Sequence, residues 1–278
     1  MTSLDAALHE GAIGLSPGTT ARRDAELLLL HVTGLTRAEL MTHPNRELSE
    51  SQLSAYRAAI ARRKQHEPVQ YITGTQEFYG RSFAVTPAVL IPRPETEHLV
   101  DAVLALHPEP KRILDIGTGS GILAVTLALE LPNATITATD ISAAALAVAR
   151  QNAASLGAID RIRFVASDLF AALANERFDC IVANPPYVAT DEVLEPQVRD
   201  YEPVTSLYAG EDGLAVYRRL IPQAFEHLEP GGHLLLEIGH SQRDAVAGLL
   251  RADSFDSICF IDDLQGIPRV TSARKPLA

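Results

Sequence analysis

"LDIGTGSGILAVTLAL", Leu114 to Leu129, decides the fold. It opens as an apolar strand, breaks at Gly117, Gly119 and Gly121, and runs on as an apolar helix. A strand, a glycine turn and a helix in direct succession let backbone come close to a ligand while helix-terminal amides face an anionic group. Many α/β proteins carry such a turn, so its spacing has to discriminate. A dinucleotide site would need G-x-G-x-x-G, and the third glycine position is occupied by Ile122.

Outward from this turn, apolar strands and helices alternate. "RILDIG", "ATITATD", "RIRFVASD", "FDCIVANPPY" and "GGHLLLEIG" read as five strands, with helical runs such as "AAALAVARQNAASLG" between them. That alternation predicts a doubly wound, mostly parallel sheet with helices on both faces. The tail, "SFDSICFIDD" and "PRVTSARK", is joined through Gly266 with no room for a helix, which predicts a closing antiparallel hairpin.

Before residue 68 the pattern is helical. "TTARRDAELLLLHVTGL" opens on threonines and stops at Gly34, "TRAEL" starts with a Thr-x-x-Glu capping box, and "SESQLSAYRAAIARRKQ" spans about four turns. "VQYITGTQEFYGRSFAVTPAVLIPRPETE" then reads as β-rich segments around Gly74 and Gly80, followed by a proline-stiffened connector. The expected organisation is a small helical domain over 1–68, a hairpin and linker over 69–96 and an α/β domain over 97–278.

Of the 278 residues, 46% are hydrophobic, enough for a sizeable core. A formal net charge of −11 argues against a broad basic surface that would hold nucleic acid by counterion release. Cys180 and Cys259 sit in apolar, strand-like runs without metal-ligand spacing and are expected to be reduced core residues, in keeping with a cytoplasmic protein. The start lacks a basic segment followed by a long apolar one, and no run approaches a membrane span. His31, His233 and His240 show no ligand spacing, so no metal is expected.

The glycine run resembles motif I of the class I AdoMet-dependent methyltransferases. AdoMet carries a carboxylate, an ammonium and a sulfonium, so its site needs acceptors as well as amides. Asp115, just before the glycines, can supply an acceptor or can orient the loop. Nineteen residues beyond Gly121, Asp140 ends "ATITATD", where an acidic side chain can accept both ribose hydroxyls or cap the helix "ISAAALAVAR". Asp168, with Leu169 beside it, occupies the place where such enzymes contact the adenine amino group, and as a lone Asp it reads equally as a cap.

A second stretch, "IVANPPYV", ends a buried strand on Asn184, Pro185, Pro186 and Tyr187. In a doubly wound sheet the crevice opens where strand order reverses, so these residues and the glycine turn should share a pocket. The nitrogen of a planar amide or aryl NH2 is a poor nucleophile, because its lone pair is delocalised. Two acceptors for its two hydrogens would hold it in line with a methyl donor. The Asn184 side-chain oxygen and the Pro185 carbonyl suit that task, and the proline rings restrict the backbone and remove competing donors. Tyr187 can stack on the planar group.

Asn-Pro-Pro-Tyr alone does not separate a nucleic-acid base from a glutamine amide. The helical N-terminal region, "PVQYITGTQEFYG", "VLIPRPETE", "ILDIGTGSGILAV", "NPPYV" and "GIPRV" resemble, in order and over nearly the whole chain, the HemK/PrmC family. The resemblance implies N5 methylation of the glutamine in the Gly-Gly-Gln loop of peptide chain release factors. It implies that Asn184 to Tyr187 bind that glutamine, and that Gly117, Thr118, Gly119, Ser120, Gly121, Asp140, Asp168, Leu169 and Asn184 line the AdoMet site. Leu169 departs from relatives that carry a large aromatic there. Arg93, Glu95 and Glu97 read either as part of the site wall or as a solvated helix start. The alternative activity is amino methylation of adenine or guanine in a nucleic acid. Release factors are the expected partners, with no stable nucleic acid and no membrane.

Overall fold

The computed structural model describes residues 2–277, which fall into two compact units. The first comprises the residues up to Thr75 together with Leu194–Tyr201. Its N-terminal helices are α1 (Leu4–Leu15), α2 (Ala21–Thr33), α3 (Arg37–Thr42), α4 (Glu50–Lys64) and α5 (Val69–Thr73), and one further helical turn lies at Pro196–Arg199. Capping boxes start α3 and α4: Thr36 and Glu39, then Ser49 and Gln52, satisfy each other's orphan amides. Leu4, Leu28, Leu29 and Tyr56 are almost wholly buried in the core of this unit. The excursion at Leu194–Tyr201 belongs here too, and the Tyr201 hydroxyl donates to the Gln65 carbonyl at 2.7 Å.

One local expectation fails in this unit. "VQYIT" forms α5 and not a strand. Its β propensity is overridden because Val69 and Ile72 are buried in the helical core, while Gly74 at φ +77° closes the turn.

The second unit comprises Gln76–Val193 and the chain from Glu202 on. A hairpin of β1 (Thr75–Phe78) and β2 (Arg81–Ala84) leads through a 3-10 turn at Pro94–Thr96 into α6 (Glu97–Leu104). Then follow β3 (Arg112–Ile116), α7 (Ile122–Glu130), β4 (Thr135–Asp140), α8 (Ala143–Ser155), β5 (Ile162–Ala166) and β6 (Phe178–Ala183). The chain closes with α9 (Ala215–His227), β7 (Leu228–Glu237), α10 (Arg243–Ala252), β8 (Asp256–Asp262) and β9 (Pro268–Arg274).

These strands build a seven-stranded sheet of order β5-β4-β3-β6-β7-β9-β8, in which β9 alone runs against the rest and pairs antiparallel with both β7 and β8. Alternation along β3 serves two cores. Ile113 joins Leu99, Val100, Leu123 and Leu127 from α6 and α7, while Leu114 joins Tyr217, Leu220, Val246 and Leu250 from α9 and α10. Helices therefore cover both faces, as the alternation of elements requires. Cys180 is buried in the sheet, but Cys259 is exposed, contrary to expectation. β8 is an edge strand, and most of its side chains are at least partly solvated.

Among the described residues no helix is long and apolar enough to cross a membrane. No group of three His, Cys, Asp or Glu side chains among them is placed to hold a metal ion.

Candidate active site

Order reverses between β3 and β6, which are paired neighbours at the middle of the sheet, so the loops after both strands emerge at one edge. A cavity of about 390 Å³ lies there. Gly117, Thr118, Gly119 and Ser120 line it, as do Asn184, Pro185 and Pro186. Asp140, Asp168 and Leu169 complete the set of expected residues on its wall.

Gly117 and Gly119 adopt φ +71° and +55°, and a Cβ on either would meet no atom closer than 4.0 Å. Their missing side chains thus open onto space that a ligand can occupy. Gly121, at φ +85°, serves packing instead, since a Cβ there would stand 3.1 Å from the Ala149 Cβ on α8. It does not line the cavity. Asp140 shapes the loop from the next strand: Oδ2 accepts from the Gly119 amide at 2.9 Å and Oδ1 from the Ser142 amide at 2.8 Å.

Asp115 is fully buried beneath the turn and does not reach the cavity wall. Its Oδ2 accepts from Thr118 Oγ1 at 2.6 Å and from the Ala124 amide at 3.2 Å, so it braces the loop from below. Burial pushes its carboxyl up to about 7, against the lowering effect of these hydrogen bonds.

At the opposite end, Asp168 pairs with Arg219 at 2.7 Å, both side chains half-exposed. Leu169 holds φ +49°, a left-handed conformation that costs a non-glycine residue about 1–2 kcal/mol. Ser167 stabilises this corner by donating to the Leu169 carbonyl and accepting from the Ala172 amide.

The Asn184 side chain is held by a chain of hydrogen bonds. Its Nδ2 donates to Thr96 Oγ1 at 3.2 Å, and Thr96 Oγ1 donates to Glu237 Oε2 at 2.6 Å. Tyr187 lies outside the cavity lining, directed inward, with its hydroxyl donating to Glu237 Oε1 at 3.5 Å. Burial, then the Glu237 charge, hold its phenol well above the usual range, so it stays protonated. The Tyr187 carbonyl accepts from Gln242 Nε2 at 2.9 Å, and Gln242 also bonds the Gly213 carbonyl and the Gly239 amide.

Four residues with site roles in this geometry escaped the sequence reading: Thr96, Glu202, Glu237 and Gln242. Glu202 is buried and accepts from the Ile91 amide at 3.1 Å and from Arg93 at 2.6 Å. It joins the proline-rich connector to the segment around Pro203 and Ser206, both of them cavity walls. Arg93 and Thr96 therefore belong to the wall, whereas Glu97 turns away to accept from the Tyr79 amide at 2.7 Å. Glu237 carried a readable signal. An acidic residue closing the apolar strand "HLLLE" stands at the same sheet edge as the glycine turn.

The sheet order, the glycine turn and the carboxylate closing β4 are those of a class I AdoMet-dependent methyltransferase, and the site fits AdoMet. Two glycines leave open space beside a helix start, and one carboxylate on the wall keeps acceptor capacity on both oxygens. Residues 6–74 match the PrmC N-terminal domain, and residues 95–199 match the methyltransferase small domain. A release factor glutamine methyltransferase of Koribacter versatilis is 51% identical, over 92% of this chain and 91% of its own length. One of Salmonella typhimurium is 42% identical, over 96% and 97%. A methyltransferase of Pyrococcus furiosus shares the fold with a TM-score of 0.54 at 19% identity, covering 81% of this chain and all of that one. The chain belongs to the release factor glutamine methyltransferase family.

Proposed function

We propose that this protein transfers a methyl group from AdoMet to the side-chain amide nitrogen of the glutamine in the Gly-Gly-Gln motif of peptide chain release factors. One observation carries the proposal: Asn184, Pro185 and Pro186 share a single cavity with the glycine turn, in a chain whose full-length relatives bear that name.

AdoMet supplies an electrophilic methyl group on its sulfonium. Gly117, Thr118, Gly119 and Ser120 would hold its amino-acid end, Asp140 its ribose, and Asp168 with Leu169 its adenine. Asp115 and Gly121 act on the cofactor indirectly, by holding the loop and packing the helix behind it. The Asn184 Oδ1, which takes no partner among the described residues, and the Pro185 carbonyl would accept the two amide hydrogens of the glutamine. Withdrawing proton density as the nitrogen is alkylated favours the transition state. No strong base is needed before attack, since the nitrogen becomes acidic only as the methyl group arrives. Tyr187 contributes by bracing the loop from behind Asn184, and stacking on the glutamine would require it to turn toward the cavity.

Residues 1–68 are read as the recognition domain for the body of the release factor, 69–96 as hairpin and connector, and 97–278 as the catalytic domain. A separate apolar core supports a distinct helical domain, although Val69 and Ile72 join that core and Leu194–Tyr201 belongs to the same unit. The acidic net charge supports a protein substrate over a nucleic acid, and a cytoplasmic setting goes with it.

The test is labelled methyl transfer to a purified release factor, to the same factor with its Gly-Gly-Gln glutamine changed to alanine, and to duplex DNA and rRNA. Label on the intact factor alone is expected. Label on a nucleic acid alone would overturn the substrate while leaving the amino-group chemistry in place.

A further inference from the structure

The amide of Asn184 is useful as an acceptor only if its oxygen, and not its NH2, faces the cavity. Nothing in the shape of an asparagine side chain decides this, because the two ends are nearly equal in size. The decision falls to whatever the other end touches.

Behind Asn184 stands Thr96, wholly buried at the start of α6, and behind Thr96 stands Glu237, 2% exposed at the end of β7. An ionised carboxylate only accepts hydrogen bonds. The single hydroxyl proton of Thr96 is therefore committed to Glu237, at 2.6 Å, which leaves Thr96 only lone pairs to offer Asn184. Asn184 must then present Nδ2 to Thr96, as it does at 3.2 Å, and Oδ1 points the other way. Flipping the amide would set two acceptors against each other in a buried site, a loss of about 1–3 kcal/mol.

Every donor in the group runs toward the same carboxylate, and Tyr187 adds its hydroxyl from the following loop. The backbone carbonyl of Glu237 is itself anchored by the Tyr217 hydroxyl of α9 at 2.7 Å. Among the described residues no cation pairs with Glu237, since Arg269, which lies near it, bonds Asp263. A buried carboxylate without a cation is costly to keep, and it calls for a reason.

We infer that Glu237, acting through Thr96, is a positioning residue that fixes the Asn184 amide with its oxygen toward the substrate. The inference rests on the reading of Asn184 as acceptor for the glutamine amide. Hydrogen bonds in series also polarise one another, so the negative end of the chain strengthens Asn184 as an acceptor.

The chain has a second state. Protonated Glu237 can donate to Thr96, which frees the Thr96 hydroxyl to donate toward Asn184 and stabilises the flipped amide. Burial, with Glu95 adding to it, pushes the Glu237 carboxyl up to about 7, while Thr96, Arg269 and Tyr187 pull the other way. Glu95, Arg269 and Tyr187, with Tyr217 on its backbone side, are the titratable or charged neighbours facing it. Turnover should therefore decline on the acid side of neutrality.

The test measures kcat, KM for the release factor and AdoMet affinity for wild type, Thr96→Val, Thr96→Ser, Glu237→Gln and Asn184→Ala across pH 6 to 8.5. Thr96→Val removes the hydroxyl at nearly constant volume, and its kcat should fall about 10- to 100-fold, the size typical of removing an outer partner of a catalytic ligand. AdoMet affinity and KM should stay within about threefold, and Thr96→Ser should recover most of the loss. Glu237→Gln, which has a donor as well as an acceptor, should lower kcat and flatten its acid limb. Should Thr96→Val fail to fold, the pH profile of Glu237→Gln decides by itself. Near wild-type kcat in Thr96→Val, or an unchanged acid limb in Glu237→Gln, overturns the inference if Asn184→Ala is inactive. Full activity of Asn184→Ala would instead bring down the acceptor reading on which the inference rests.

Discussion

Replacing Asp140 by alanine should weaken AdoMet binding by a calculable amount. Each oxygen of this carboxylate already accepts one backbone amide, from Gly119 and from Ser142, and so retains one acceptor site for a vicinal hydroxyl. Two charge-assisted hydrogen bonds at about 1.5–3 kcal/mol each set the upper range of the loss. Water replaces part of it in the emptied site, leaving about 3 kcal/mol, or roughly a hundredfold in Kd. The Gly119 and Ser142 amides lie beside the cavity and can bond water in the variant, so the fold should lose little stability. Titration calorimetry of wild type, Asp140→Ala and Asp140→Asn with AdoMet and with its demethylated product reads the effect. Both ligands carry the same ribose, so both should weaken equally. Affinity within threefold of wild type would refute the ribose assignment, and a loss confined to AdoMet would move Asp140 to the sulfonium end.

Gly213 holds φ +70°, and a Cβ there would sit 2.3 Å from the Tyr187 carbonyl and 2.7 Å from Gln242 Nε2. Gly213→Ala combines left-handed strain with overpacking, about 2–5 kcal/mol together, and should lower Tm by roughly 5–15 °C. Gly157→Ala, at φ +77° with open space around the new methyl, should show the strain alone, and equal melting of the two variants would contradict the clash. Stability should also depend on pH near neutrality. Asp115 and Glu237 have folded-state pKa values raised to about 7 from ordinary values near 4, so their contribution is complete at acid pH and is lost as pH rises through about 7. Each shift corresponds to about 3–4 kcal/mol at full ionisation, so Tm should fall between pH 5.5 and 8 and fall less in Glu237→Gln. A Tm that holds steady or rises over that interval would show that the two carboxyls are not held neutral.

The pH-dependent cost of Glu237 and its proposed role in orienting Asn184 are two sides of one fact. Ionised, it destabilises the fold and directs the amide; protonated, it does the reverse. Functional sites are where such local penalties are tolerated, and Leu169 in left-handed backbone beside the cavity is a second instance.

Much of the α/β fold could be read along the chain because its signals are local. The strand, turn and helix at Leu114–Leu129 need only neighbouring residues to declare themselves, and β3 and β6 meet at the centre of the sheet as a doubly wound topology requires. Local signals misled where packing opposed propensity, as in the β-branched "VQYIT" drawn into a helical core. They also misled at Cys259, where an apolar run lay on an edge strand.

By itself the sequence determined the glycine turn, the carboxylate that ends β4 and the Asn-Pro-Pro-Tyr loop, since each depends on residue types at short fixed spacings. Tertiary structure alone decided that Asp115 lies under the loop, that Tyr187 turns inward and that Thr96 meets Glu237 across 141 positions of chain. It also decided that Glu202 would close on Arg93 across 109 positions. The physical reason is that burial and hydrogen-bond direction are properties of a neighbourhood, and these neighbourhoods come together only when the sheet aligns the ends of distant strands at one edge.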